Sequence, residues 1–247
     1  MKRHTYRARI AYDGTAFASF AHVPGELTVW SALRSALVSL GGGFGHLAAG
    51  GRTDRGVSAT GQVISFIYRD FVPPDEICGA IDSVAPGALV ALEVRKVSDS
   101  FHAQFSACAR RYVYFAPDAD ALDVERLDRL LNELVGERRS FTAFARDTPP
   151  GKKLDRALTE ARARRVSTDE GPRIRFDFAA QGFLRKQLRV LVATALREAR
   201  TPSDDEALLR IAESGDRRAT AQPADSRGLV LVKVSYDPVS PKPGHWG

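Results

Sequence analysis

Cysteine is scarce in this chain: Cys78 and Cys108 are the only two in 247 residues. Two thiols so far apart build no disulfide framework, so an apolar core must hold the fold, and both read as reduced thiols of a cytosolic protein. No apolar run approaches the roughly 18 residues that a membrane span needs. The opening Met1-Lys2-Arg3-His4 passes straight into alternating sequence, without the apolar stretch of a secretion signal. Histidine is sparse too, at positions 4, 22, 46, 102 and 245, and neither these nor the cysteines show metal-ligand spacing. There is no low-complexity segment. Lysine is outnumbered by arginine, 7 to 29.

What is present is an ordinary globular composition, 44% hydrophobic and 27% charged, long enough for one large domain or two packed halves. The net charge of +6 is unevenly placed. Residues 101–200 carry 20 basic and 14 acidic side chains, a surplus equal to the whole net charge. Guanidinium groups suit bidentate phosphate contacts and stacking on bases. An arginine-rich proteome would give the same count, so charge favours a polyanionic partner without naming one.

The hydrophobic pattern predicts an α+β protein in which one order of elements occurs twice. Tyr6, Ala8, Ile10 and Tyr12 alternate as in a strand. Thr28 is placed to cap a helix through Val29, Leu33, Ala36, Leu37 and Leu40. A short strand near 47–49 follows a glycine turn, and residues 62–68 alternate with Ile64, Phe66 and Tyr68 on one side. Pro74-Asp75-Glu76 opens a second helix, and 89–97 reads as a strand. The second half runs from a strand at 111–116 to a helix capped by Asp123. Strands near 157–166 and 173–180 follow, with Ile174, Phe176 and Phe178 facing one way. A long helix carries Leu184, Leu188, Leu191 and Ala195. Ser203 with Glu206 is a capping-box pair before a further helix, and a last strand spans 229–236. Two fused ferredoxin-like β-α-β-β-α-β halves, 1–108 and 109–247, with a shared largely antiparallel sheet and a central cleft, satisfy this pattern. Residues 146–153 read as an exposed basic loop, and the tail from Pro238 as irregular.

The most informative stretch is Gly50-Gly51-Arg52-Thr53-Asp54-Arg55-Gly56-Val57-Ser58-Ala59-Thr60-Gly61-Gln62. Its glycines let the loop bend sharply and let a ligand approach the backbone. One carboxylate, Asp54, sits between Arg52 and Arg55, whose cations would hold it ionised as a nucleophile or base requires. Residue types alone leave a second reading open, a turn aspartate bonded to its own backbone. The stretch resembles the G-R-T-D-x-G-V signature of the TruA family of tRNA pseudouridine synthases. Further segments resemble that family in the same order. They are Ile10-Ala11-Tyr12-Asp13-Gly14-Thr15; Phe101-His102-Ala103-Gln104-Phe105-Ser106-Ala107 through Arg110-Arg111-Tyr112; Phe141-Thr142-Ala143-Phe144; Gly182-Phe183-Leu184-Arg185-Lys186-Gln187-Leu188-Arg189; and residues 219–231. The matches cover about 6–236.

The resemblance implies a cofactor-independent isomerase that turns uridine into pseudouridine at positions 38 to 40 of the tRNA anticodon arm, in a cytoplasmic homodimer without metal. It makes Asp54 the catalytic carboxylate. Tyr112 would pack on the target uracil, and Arg189 would pair with Asp54. By type alone Tyr112 suits a core and Arg189 a solvated surface. Arg52 and Arg55 would lie near the target nucleotide, and Arg110, Arg111, Lys152, Lys153, Arg185 and Lys186 would follow the phosphates. His102 is read as structural.

The chain also departs from the family pattern. Phe17-Ala18-Ser19-Phe20-Ala21-His22 stands where the family often has an aromatic-G-W-Q-x-Q segment, and Val29-Trp30-Ser31-Ala32-Leu33-Arg34 where it often has V-Q-x-x-L-E. Ser58 replaces the histidine of G-V-H-A, and Gln104 the arginine of F-H-A-R-F. The connection after Phe115 is short. These departures raise the alternative of a catalytically silent RNA-binding or tRNA-folding module. A metal-dependent nuclease built on Asp54 lacks a second carboxylate at suitable spacing.

Overall fold

The computed structural model describes residues 3–118, 122–147, 154–201 and 204–236. They form two compact units, one holding the chain up to Arg110 together with the last strand from Val230, the other Arg111–Leu229. The protein is α+β, and its strand pairings are mostly antiparallel.

The first unit runs β1 (His4–Tyr12), α1 (Val29–Ser39), β2 (Leu47–Ala49), β3 (Ser58–Tyr68), α2 (Pro74–Val84) and β4 (Leu89–Val97). β1 lies between β4 and β3, and β2 adds to β3, all antiparallel. Local chemistry sets both helix starts. The Thr28 hydroxyl accepts from Ser31 N at 3.0 Å while Ser31 Oγ accepts from Thr28 N at 2.9 Å, satisfying two backbone donors that the helix leaves open. Pro74 opens α2, with Asp75 and Glu76 in its first turn to complement the helix dipole. The strands meet over an aromatic cluster. Tyr6 lies opposite Phe66, their rings stacked at 5.7 Å, and Tyr68 meets Tyr6 edge-on at 5.9 Å. Rings of this size bury on the order of 150–250 Å² each, which makes them the main apolar weight of this core.

Alternation over 62–68 predicts one buried face, whereas Gln62 through Phe66 are buried on both. The second cover is the segment of buried Phe101, His102 and Ala103, where Ala103 N donates to Ser65 Oγ at 3.0 Å. His102 is structural in this setting. Its Nδ1 accepts from Gln104 N and Phe105 N at 3.2 and 3.3 Å, its ring stacks on Phe105, and burial lowers its pKa.

The second unit takes up the chain within β5 (Ala107–Pro117) and continues through α3 (Val124–Asn132), β6 (Arg139–Ser140) and β7 (Asp155–Arg156). It ends with β8 (Leu158–Thr168), β9 (Gly171–Ala180), α4 (Gln187–Arg200) and α5 (Ala207–Ser214). β9 lies between β5 and β8. Asp123 caps α3 by accepting from Arg126 N at 2.8 Å. Leu127, Leu130 and Leu131 of α3 are fully buried, as are Ile174, Phe176 and Phe178 of β9. The outward arginines of the hairpin take acidic partners: Arg162 grips Asp128 through two bonds of 2.8 and 2.7 Å, and Arg175 reaches Asp177 at 2.6 Å.

Two helix starts differ from expectation. α4 begins at Gln187 and leaves Leu184 in the preceding turn. Lys186 has φ +58°, and Gln187 Oε1 reaches back to accept from Leu184 N at 2.8 Å. Before α5 the acceptor is Asp204, bonded to Glu206 N at 3.0 Å, and Glu206 makes no side-chain cap. Ser203, the basic residues 152 and 153, and the tail from 237 lie outside the described residues. The final strand, β10 (Leu229–Tyr236), pairs in parallel with β3 through Val230–Ser58 and Leu231–Ala59.

Candidate active site

Residues 50–57 join β2 to β3, and bonds from several parts of the first unit clamp them. At the start, Arg110 donates from Nε and Nη2 to the Gly50 carbonyl at 2.8 and 2.7 Å, with a further bond to Gln104 O at 2.8 Å. The buried Gln62 side chain then grips Gly51 on both sides. Its Oε1 accepts from Gly51 N at 3.2 Å, and its Nε2 donates to Gly51 O. Thr53 turns inward, where its hydroxyl and that of Tyr12 share a hydrogen bond of 2.8 Å, and Gln62 Nε2 also donates to Tyr12 Oη at 3.4 Å. Burial pushes the Tyr12 phenol up to about 12, so it stays a neutral strut.

The loop closes in a turn. Val57 N donates to Asp54 O at 3.2 Å, and Gly56 has φ +79° at the third position, where a side chain would strain a type II turn. A second turn lies directly against it. Asp13 Oδ1 accepts from Thr15 N and Oγ1 at 2.9 and 2.8 Å, bonds that lower the Asp13 pKa. Gly14 N donates to Ser58 Oγ at 3.0 Å, and a Cβ on Gly14 would stand 2.3 Å from the Val57 carbonyl. This explains at the level of contacts why a Tyr-Asp-Gly-Thr turn accompanies the Asp54 loop. Asp54 leaves the clamp half-buried, following buried Thr53 and followed by exposed Arg55. The flanking arginines do not pair with it. Arg55 reaches Glu26 at 2.8 Å, and Arg52 is exposed.

In the second unit, Tyr112 is buried on β5 with its ring edge-on to Phe183 at 5.4 Å. Arg189 occupies the first turn of α4, half-buried. Its Nε donates to Ala224 O at 2.7 Å, and its own carbonyl accepts from Ala224 N at 3.0 Å. Nearby, Asp225 is held at about 2, chiefly by Arg227.

The residues expected to follow phosphates divide by their bonding. Arg110 is engaged by the loop it braces. Arg111 pairs with Glu160 at 2.6 Å, and Lys186 and Arg185 face Asp147 at 2.8 and 3.8 Å. Such half-exposed pairs are worth about 0–1 kcal/mol, so a phosphate can displace the carboxylate from these three side chains. Lys152 and Lys153 are not described. Tyr12, Gln62 and Arg110 are the supporting residues that the motif alone does not reveal. A glutamine at an otherwise apolar strand position was the available signal for one of them. Among the described residues no three metal-binding side chains gather.

Comparison with known proteins gives this geometry its context. Residues 130–237 match the family model described as tRNA pseudouridine synthase. The tRNA pseudouridine synthase A of Latilactobacillus sakei is 32% identical, with 94% of this chain and 98% of that one aligned. The chain belongs to the tRNA pseudouridine synthase family. The synthase A of Lacticaseibacillus casei is 34% identical over 94% and 99% of the two chains, and that of Chlorobaculum tepidum 31% over 95% and 98%. Family membership thus spans the Asp54 loop, its clamp and the second unit, although the family model itself begins only at residue 130.

Proposed function

We infer that this protein isomerises uridine to pseudouridine in tRNA, with Asp54 as the catalytic carboxylate. The observation that carries the reading is the clamped loop. Gln62, Arg110, Thr53 and the Gly14 turn fix the backbone on either side of one carboxylate and leave that carboxylate half-exposed. A catalytic group needs such support, because small displacements are costly in rate.

The reaction balances without a cofactor. The N1–C1′ bond breaks, the uracil turns, C5 bonds to C1′, and the C5 proton leaves to solvent while N1 gains one. Asp54 can start this by adding to C1′, by adding to C6, or by removing a sugar proton to give a glycal. Tyr112, set by Phe183, would stack on the uracil and keep the freed base in place. Arg189, held by Ala224, would pair with Asp54 and fix its rotamer. Arg52 and Arg55 would meet the target nucleotide, with Arg55 exchanging Glu26 for phosphate. Arg111, Arg185 and Lys186 would follow the RNA backbone.

Two β-α-β-β-α-β repeats, a homodimer, a cytoplasmic location and a target at positions 38 to 40 of the anticodon arm complete the proposal. The repeated order of elements supports the first point, and the family resemblance supports the others. Among the described residues no helix is long and apolar enough to cross a membrane. The test is tritium release from unmodified tRNA labelled at uridine C5, followed by mapping of the modified positions. Release with pseudouridine at 38 to 40 is expected. Tight tRNA binding without release would make the protein a silent RNA-binding module.

A further inference from the structure

Residues 17–22 and the first turns of α1 meet at one place. His22 from the first, and Trp30, Ser31 and Arg34 from the second, line a cavity of about 460 Å³ beside α1, together with Ser35, Val38 and Ser39. Backbone bonds bring them together: Val29 N donates to Ser19 O at 3.1 Å and Trp30 N to Phe20 O at 2.9 Å. Trp30, Arg34 and Val38 then share one helix face at intervals of four.

We propose that this cavity is a nucleotide-binding subsite that grips the tRNA apart from the Asp54 loop, with Trp30 stacking on a base and Arg34 holding its phosphate. The proposal rests on the tRNA reading above and adds a contact to it. Three observations carry it. The first is bonding state. The Trp30 indole, the His22 imidazole and the Arg34 guanidinium make no hydrogen bond, ion pair or ring contact with any described residue. Arg55 of the same unit, by contrast, is taken up by Glu26 at 2.8 Å. The second is charge. No carboxylate lines the cavity, and Arg34 gives it one exposed cation that can attract a phosphate. The third is shape and chemistry. A half-buried indole offers a π-face beside one cation, in a volume suited to a single nucleotide.

The test uses the full chain. With only Trp30 and Trp246 present, the variant W246F leaves Trp30 as the sole indole. Its emission is expected to be quenched as unmodified tRNA is added. W30A and R34Q are each expected to weaken tRNA binding about tenfold. R34Q should also reduce the slope of log K against log salt by about one, because one phosphate contact is lost. W30F, which keeps an aromatic face, should recover most of the W30A loss and so separates stacking from misfolding. Unchanged affinity and slope in W30A and R34Q, with no quenching in W246F, would overturn the subsite. So would a change in sedimentation of W30A or R34Q without RNA that accounts for the whole affinity loss, since the cavity would then be an interface between copies of the chain. Tritium release by the wild-type protein is measured in parallel. Release with unaltered variant binding sinks only the subsite, whereas absent release sinks the isomerase reading while the binding data still decide the subsite.

Discussion

The arginines that flank Asp54 in sequence do not pair with it. Arg55 turns to Glu26 and Arg52 to the surface, so the cations that bracket the carboxylate in sequence face elsewhere in the fold. Removing the Arg55–Glu26 pair should therefore change stability little. R55A is expected to cost less than about 1 kcal/mol in urea denaturation, as exposed pairs do, yet to weaken tRNA binding, since its charge faces outward. Equal binding by R55A and the wild type would remove Arg55 from the RNA contacts. The Asp54 motif was legible in the sequence because its residues are contiguous. The props were not. Tyr12 and Arg110 lie far from residue 54 in the chain, Gln62 closes the same stretch, and only folding shows that their polar ends converge on residues 50–53.

At the scale of elements, the loop between β2 and β3 is stiffened by a turn that follows β1, and Gly14 is the point of contact. A methyl group there would collide with the backbone of Val57 rather than with a side chain able to move aside. G14A should lower stability by roughly 1–3 kcal/mol. It should also reduce kcat on the order of a hundredfold, because a shift near 1 Å at a catalytic loop has that effect. A normal kcat in G14A would show that the turn does not position the loop. The same scale explains what could be read beforehand. The starts of α1, α2 and α3 were legible because Thr28, Pro74 and Asp123 act on backbone within one turn. The start of α4 was not, because a left-handed Lys186 and the backward reach of Gln187 close a turn that apolar periodicity does not register. The double burial of β3 was hidden for another reason. Its second cover arrives from residues 101–103, a contact across a long stretch of chain.

At the scale of the whole molecule, stability should fail on the alkaline side through buried phenols of the first unit. Burial raises the pKa of Tyr12 to about 12 and those of Tyr68 and Tyr236 further. A phenol with a folded pKa above its unfolded value contributes stability that is complete below about pH 10 and is lost as pH rises through the folded value. For Tyr12 that amounts to ~3 kcal/mol between about pH 10 and 12. Y12F should flatten the fall of stability with pH in this window, while costing roughly 1–3 kcal/mol at neutral pH through the hydroxyl of Thr53 left without Tyr12. Chemical denaturation followed across that range reads both effects, and an undiminished slope in Y12F would contradict the first. The arginine count of 29 overstates the free cations that RNA meets, because several guanidinium groups of the second unit already hold carboxylates.

The most direct measurement compares the wild-type protein with D54N on unmodified tRNA labelled with tritium at uridine C5, alongside tRNA affinity. The change keeps the shape of the side chain and removes its charge. The account predicts tritium release by the wild type, none by D54N above background, and tRNA affinities within a small factor of each other. Release by D54N at a rate near that of the wild type would contradict the catalytic role of Asp54.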